Sequence, residues 1–178
     1  MLVSPCGGQP TPPQARALPV IVLTDASFSK MSGMIGVTIY CPYRNALFYT
    51  SSIASRTLIC LLHWYERKKT YICQLELIAA VCAYTTFPDL LRGRLVHHFI
   101  DNDPAKCNLI SGHSGHPDSA RIIHAYNVVV HELQCQPWLG FVYSEDNLSD
   151  LPSRYEFTLL QKLGGIYRKC IFPSITLW

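Results

Sequence analysis

The chain has 178 residues, of which 49 % are hydrophobic and 15 % are charged, and its formal net charge is +3. This composition and length indicate one globular domain that is large enough to bury a hydrophobic core, and they exclude a disordered chain. The small net charge gives no strong positive potential of the kind that attracts nucleic acid, but it does not exclude a local basic surface. The eight cysteines include no C-x-x-C pair. We therefore interpret them as mostly reduced, buried thiols of an intracellular protein, cytoplasmic or nuclear.

Residues 1–18 are rich in proline and glycine and carry no apolar segment typical of a signal peptide. We interpret them as a linker. Residues 19–163 are predicted to form one domain, and residues 164–178 a C-terminal tail. No apolar run approaches the length that crosses a bilayer, which predicts a soluble protein without membrane contact.

The stretch Pro19–Ser27 predicts a buried strand that carries Asp25 to its C-terminal end, a common way for an α/β sheet to place an acid. Asp25 is equally typical of a residue that starts a turn. Met34–Cys41 and Ala46–Ser51 predict two more strands, joined by a hairpin turn at residues 42–45. Such an antiparallel meander favours an α+β or mixed α/β sheet.

Gln74–Tyr84 gives the strongest helix pattern in the chain and is apolar almost all round. Glu76 is its lone charge. A carboxylate in such surroundings is costly unless it is paired, protonated or bound to a cation. The alternative is that Glu76 lies on a narrow exposed stripe near the helix start, where acids are favoured. Residues 53–70 are compatible with an insertion or with a short helix.

Leu95–Ile100 is a second hydrophobic strand that ends in an acid, Asp101. The helix predicted after it has proline near its first turn, and Asp103 can be its N-cap. If this strand is adjacent and parallel to the strand ending at Asp25, the two carboxylates lie side by side. They then repel each other unless a cation lies between them.

The last third of the chain predicts a helix over Ser119–Gln134, a strand over Trp138–Tyr143 and a polar loop over Ser144–Ser149. Asp150 opens a final helix predicted to run towards Leu163. Its carboxylate can act in chemistry or simply stabilise the first helical turn, with help from Arg154.

Four short segments in this order, Thr24–Ser27, Leu75–Leu77, Ile100–Asn102 and Asn147–Arg154, resemble the four acidic motifs of the ribonuclease H domain of retroelement reverse transcriptases. The resemblance is closest to tyrosine-recombinase-type retrotransposons and the hepadnavirus polymerase, and it covers most of the chain. It implies a ribonuclease H-like α/β fold. With the strands predicted above, this is a mixed five-stranded sheet flanked by helices, its first three strands antiparallel.

The resemblance also implies hydrolysis of the RNA strand of RNA–DNA hybrids with two Mg²⁺ or Mn²⁺ ions. Carboxylates suit these hard cations, and two such ions can activate water and stabilise charge on the phosphate. By resemblance, Asp101 bridges the two ions, Asp25 and Glu76 bind one, and Asp25 and Asp150 share the other.

Ser27, Asn102 and Arg121 are the candidate substrate contacts, although Arg121 is equally well read as a solvated helix charge. The loop before Asp150 contains no histidine, unlike that of many relatives, and no basic handle helix is apparent between the middle helices. Substrate affinity is therefore expected to depend on an adjoining reverse transcriptase domain.

Other function classes fit the sequence less well. A degenerate domain that binds nucleic acid or protein without cutting agrees with the modest charge and the missing histidine, but all four acids are present. An integrase-type nuclease is expected to carry its glutamate on a late helix, where Asp150 is found instead. Four acids that coincide by chance in an ordinary α/β domain remain the last alternative.

Overall fold

The computed structural model describes residues 18–29, 32–54, 58 and 71–174. Apart from Leu18, the predicted linker lies outside the described residues, as does most of the ambiguous segment 53–70. Within the described part, no helix combines the length and apolar character needed to span a bilayer. The strands are β1 (Val20–Ser29), β2 (Ser32–Cys41), β3 (Ala46–Ile53), β4 (Leu95–Ile100), β5 (Gln136–Phe141) and β6 (Ile166–Tyr167). The helices are α1 (Ile72–Thr86), α2 (Pro88–Leu91), α3 (Asp103–Ser111), α4 (Pro117–Leu133), α5 (Asp150–Ser153) and α6 (Thr158–Lys162), with a 3₁₀ turn at Ser144–Asp146.

The strands form one mixed sheet in the order β5-β4-β1-β2-β3-β6. The predicted antiparallel meander of β1, β2 and β3 is confirmed, and β4 runs parallel to both β1 and β5. Among the described residues the sheet has six strands rather than the predicted five, because β6 pairs with the outer edge of β3. A strand of two residues is too short to show a period of two in the sequence.

The core lies between the sheet and α1. Almost every residue of this helix is buried, and its side chains join those of the central strands, Val22 and Val37 among them, in one apolar cluster. This explains why the helix is apolar all round, since it also packs against α3 and α4.

The short helix α5 lies on the opposite face of the sheet. Side chains alternate along a strand, so Asp25 and Ser27 point away from the face that carries Val22 and Ala26. The hydroxyl of Ser27 donates to the carbonyl of Ser153 in α5 at 2.8 Å. The sheet is therefore covered by α1 on one face and by the segment that carries Asp150 on the other.

The single helix predicted from Asp150 towards Leu163 is wrong in extent, because two short helices take its place. Tyr155 adopts a left-handed backbone with φ 61°, and the amide of Glu156 donates to the carbonyl of Leu151 at 2.9 Å. This is the geometry that ends helices, usually at glycine. A tyrosine in that position gives no stop signal in the sequence.

Candidate active site

Two aspartates meet where β1 and β4 run side by side. The parallel pairing between these strands extends to Thr24 opposite Ile100. Asp25 follows Thr24 within β1, and Asp101 is the first residue after β4. The parallel arrangement on which the sequence argument depended is therefore confirmed. Strand β1 continues to Ser29 by pairing with β2, so Asp25 lies within a strand rather than at a turn.

Glu76 reaches the same point from α1. The backbone amide of Ala26 donates to Glu76 Oε1 at 3.0 Å, and the glutamate is only 2 % exposed, which excludes an exposed stripe. One carboxylate oxygen from each of Asp25, Glu76 and Asp101 lies within 4.8 Å of the others. Glu76 Oε2 is buried and has no hydrogen-bond partner among the described residues.

Burial and crowding raise the pKa of two carboxyl groups of the cluster, those of Asp25 and Glu76. Burial is the main reason why the pKa of Asp25 is raised to about 7, with the charges of Asp101 and Asp150 adding to it and a hydrogen bond to Ser153 opposing it. Burial also raises the pKa of Glu76 well above its usual range, helped by the charges of Asp25 and Asp101. The cluster therefore holds protons that a cation would displace.

Asp150 lies beside this cluster but is not one of the three carboxylates that converge. It begins α5, and the guanidinium of Arg154 donates to its Oδ1 at 2.8 Å, one helical turn away. Its proximity to Asp25 is evident from the rise in the pKa of that residue. The structure thus groups three of the four predicted acids and places the fourth next to them, paired with arginine.

A buried asparagine, Asn147, connects the strand that carries Asp25 with the segment that carries Asp150. Its Nδ2 donates to the carbonyl of Thr24 at 3.0 Å, and its Oδ1 accepts from the amide of Ser149 at 3.2 Å. One side chain thus joins the residues that precede two of the acids. Sequence reasoning quoted Asn147 in a motif without giving it a role, because its partner Thr24 is 123 positions away.

The predicted substrate contacts are used in different ways. Ser27 binds the backbone of α5, as described above, and Asn102 caps α3 by accepting from the amide of Ala105 at 3.0 Å. Arg121 lies exposed on α4. Sequence reasoning did not single out Ser144, whose hydroxyl donates to Asp101 Oδ2 at 2.8 Å.

A series of hydrogen-bonded, buried side chains lies next to the acid cluster. His98 Nε2 lies 3.0 Å from the hydroxyl of Thr24, and His98 Nδ1 lies 3.3 Å from the hydroxyl of Tyr84, which accepts in turn from Tyr126. Burial lowers the pKa of His98 to about 3, so the ring stays neutral. It therefore joins β1 to β4 without adding charge beneath the acids.

The donor set suits a hard divalent cation. Carboxylate oxygens are the ligands that Mg²⁺ and Mn²⁺ prefer. Such an ion would give Glu76 Oε2 a partner, and it would offset the repulsion between the carboxylates of the cluster. Asp25, Glu76 and Asp101 can hold it, and Asp150 can join them if its side chain exchanges Arg154 for metal.

The sheet order and the central helix define a ribonuclease H-like fold, in which the three converging acids come from β1, from α1 and from the residue after β4. A halophilic archaeal RNase H1, from Halobacterium salinarum NRC-1, is similar with a TM-score of 0.56 and 14 % identity over 78 % of this chain and 96 % of that one. LC11-RNase H1, solved in complex with an RNA/DNA hybrid, has a TM-score of 0.54 and 14 % identity over 74 % and 91 %.

The N-terminal RNase H domain of a Mycobacterium tuberculosis protein gives a TM-score of 0.55 with 9 % identity over 83 % and 99 %. At such identities the similarity is one of fold. No protein-family model matches the sequence, and no curated protein is significantly similar to it.

Proposed function

We propose that this chain is an endonuclease that hydrolyses the RNA strand of RNA–DNA hybrids with two divalent metal ions, as the ribonuclease H domain of a retroelement reverse transcriptase. The observation that carries the proposal is the convergence of Asp25, Glu76 and Asp101 within 4.8 Å on this fold. The complex of LC11-RNase H1 with an RNA/DNA hybrid supports the choice of substrate.

The four acids would hold the ions, with Asp150 contributing to the second. Bound Mg²⁺ or Mn²⁺ would activate the attacking water and stabilise charge on the phosphate. The amide of Ala26 fixes Glu76 Oε1, and the hydroxyl of Ser144 fixes Asp101 Oδ2. Both hydrogen bonds orient carboxylates before any ion arrives, so less reorganisation accompanies binding.

The remaining residues of the proposal contact substrate. The side chains proposed to face the hybrid are those of Ser27, Asn102 and Arg121. The protein would distinguish the RNA strand by its 2′-hydroxyl groups and by groove shape. We also propose that an adjoining reverse transcriptase domain adds affinity, that residues 1–18 connect to it, and that the protein acts inside the cell.

The decisive experiment is cleavage of an end-labelled RNA–DNA hybrid by the purified chain in Mg²⁺ or Mn²⁺, beside matched double-stranded RNA and DNA. Hybrid-specific cutting that EDTA abolishes is expected. Asp101→Asn should reduce it at least ~10³-fold while the circular dichroism spectrum and melting temperature stay close to those of the parent.

The matched control is Asp103→Asn, which removes an exposed carboxylate two positions further on, paired with Lys106 outside the cluster. It should retain activity within about threefold, because a surface ion pair contributes little. A folded Asp101→Asn chain that still cuts would overturn the mechanism. A parent chain that binds hybrid without cutting it would instead favour a degenerate binding module.

A further inference from the structure

Two aromatic rings form a small exposed surface beside the acid cluster. Phe141, the last residue of β5, is 42 % exposed, and Tyr143 is 65 % exposed. Their rings meet edge to face with centroids 5.3 Å apart and an angle of 87°. We call this pair the aromatic shelf. Large aromatic side chains open to water in this way are typical of contact surfaces rather than of a core.

The shelf is fixed to the strand end that carries Asp101. The amide of Val142 donates to the carbonyl of Ile100 at 3.2 Å. On the other side of Tyr143, the hydroxyl of Ser144 donates to Asp101 Oδ2 at 2.8 Å. Because both neighbours of Tyr143 are bound to the end of β4, the ring cannot move far from the acids. A nucleic-acid strand with one phosphate at the cluster would therefore reach the Tyr143 ring within about one or two nucleotides.

A cation completes the shelf. The ammonium of Lys106 lies 5.4 Å from the centre of the Phe141 ring and 2.5 Å from a carboxylate oxygen of Asp103. Lysine beside an aromatic surface matches a sugar–phosphate strand, since rings pack on sugars or unstacked bases and the ammonium faces phosphate. Asp103 is the exposed partner of this ion pair, so a phosphate can compete with it for the lysine.

We propose that Phe141, Tyr143 and Lys106 form a binding subsite for the nucleic-acid strand that enters the acid cluster, with the rings against a sugar or base face and the ammonium near a phosphate. The identity of the ligand rests on the proposed function. The subsite supplies apolar contact area in a region where the acids would otherwise repel a polyanion.

The test is the affinity of the full chain for a fluorescein-labelled RNA–DNA hybrid, measured by fluorescence anisotropy in Ca²⁺ and with gels to verify that the hybrid stays intact. Tyr143→Ala is expected to raise the Kd about tenfold, since loss of one stacked ring typically weakens binding by this order. Tyr143→Phe keeps the ring and should stay within about twofold of the parent.

Tyr40→Ala is the matched control. Tyr40 is also an exposed tyrosine, at the far end of β2, where its hydroxyl donates to Asn45 in a surface turn. It should leave the Kd unchanged. Lys106→Ala should weaken binding about threefold and flatten the salt dependence of the Kd.

Binding and cleavage are measured separately, so the two proposals fail separately. If Tyr143→Ala and Phe141→Ala bind the hybrid as tightly as the parent, or if the parent binds no hybrid at all, the subsite is overturned whatever the cleavage assay gives. If affinity depends on Tyr143 but the parent never cuts, the subsite stands and the proposed hydrolysis is overturned.

Discussion

At the scale of single residues, Glu76 combines burial with an oxygen that lacks a partner among the described residues. Such a group lowers the stability of a fold unless something compensates it. Asp25 is buried as well, beside the charges of Asp101 and Asp150. Protonation and cation binding are the two ways to compensate the buried charge of Glu76 and Asp25. The same feature that suits the cluster to a cation therefore makes the metal-free fold sensitive to pH.

The direction in which stability changes with pH follows from the raised pKa values of two carboxyl groups. Asp25 and Glu76 have folded pKa values above their ordinary values, 3.8 and 4.5. Between those values and the folded ones, the folded chain holds protons that the unfolded chain has released, so stability falls as pH rises. In EDTA we expect the melting temperature to drop by roughly 5–10 °C from pH 5 to pH 8, a loss of a few kcal/mol.

Mn²⁺ should reverse much of this drop at pH 8, because an ion replaces the protons. Glu76→Gln should flatten the pH dependence and lose most of the metal-induced rise. Glu132→Gln, a change at an exposed position of α4, should behave like the parent. A melting temperature that stays level between pH 5 and pH 8 in EDTA would show that the carboxyls are not buried as described.

At the scale of elements, hydrogen bonds from serine hydroxyls of the sheet to backbone carbonyls of α5 hold this helix against the sheet. The hydroxyls of Ser27 and Ser51 donate to carbonyls of Ser153 and Pro152. Gly36 lies opposite Asp25 in β2 and leaves room for the chain to approach. The position of Asp150 relative to Asp25 therefore depends on a close backbone contact.

Gly36→Ala tests this contact. A Cβ atom there would overlap the carbonyl oxygen of Ser149 and the amide nitrogen of Ser153, and backbone cannot give way as a flexible side chain can. We expect a loss of about 1–3 kcal/mol in the free energy of unfolding and a fall in hybrid cleavage of at least ~10-fold, since small displacements of catalytic groups are costly.

Gly115→Ala is the control for this substitution, because a Cβ at Gly115 would meet no atom within 4 Å. Urea denaturation and initial cleavage rates should distinguish the two variants. Equal stability and equal rates would mean that α5 does not depend on this approach.

The same elements show what the sequence can predict. Strand β1 and helix α1 contain long apolar runs, and the shorter β4 is followed directly by an acid. These elements and their acids could therefore be predicted one element at a time. The contacts that place α5 join Ser27 to Ser153 and Ser51 to Pro152, pairs that are 126 and 101 positions apart. A single sequence contains no signal for such pairs, because serine is polar and common in turns as well as in strands.

At the scale of the whole molecule, residues 164–174, which the sequence predicts to lie in a C-terminal tail, contact the sheet and the helices. The amide of Arg168 donates to the carbonyl of Tyr49 at 2.9 Å next to the β3–β6 pairing, and its guanidinium binds Asp89. Further along, the amide of Ile171 donates to Thr86 at 3.0 Å. Strand β6 has only two residues and pairs with a strand far earlier in the chain, so the sequence pattern did not reveal it.

A chain that ends at Leu163 should therefore be destabilised. It would lose β6, the Arg168 ion pairs and the packing of Phe172 and Pro173 against the helices, and each buried apolar side chain contributes about 1.5–3 kcal/mol. We expect the melting temperature to fall by roughly 6–12 °C, measured by circular dichroism in EDTA at pH 5.

Full-length Arg168→Ala separates the contribution of the ion pair from that of strand pairing and apolar packing, because an exposed ion pair is worth at most about 1 kcal/mol. If the truncated chain melts within about 1 °C of the parent, the domain ends at Leu163 and the later contacts are energetically neutral. If only the truncation lowers the melting temperature, strand pairing and apolar packing hold the C-terminal segment on the sheet.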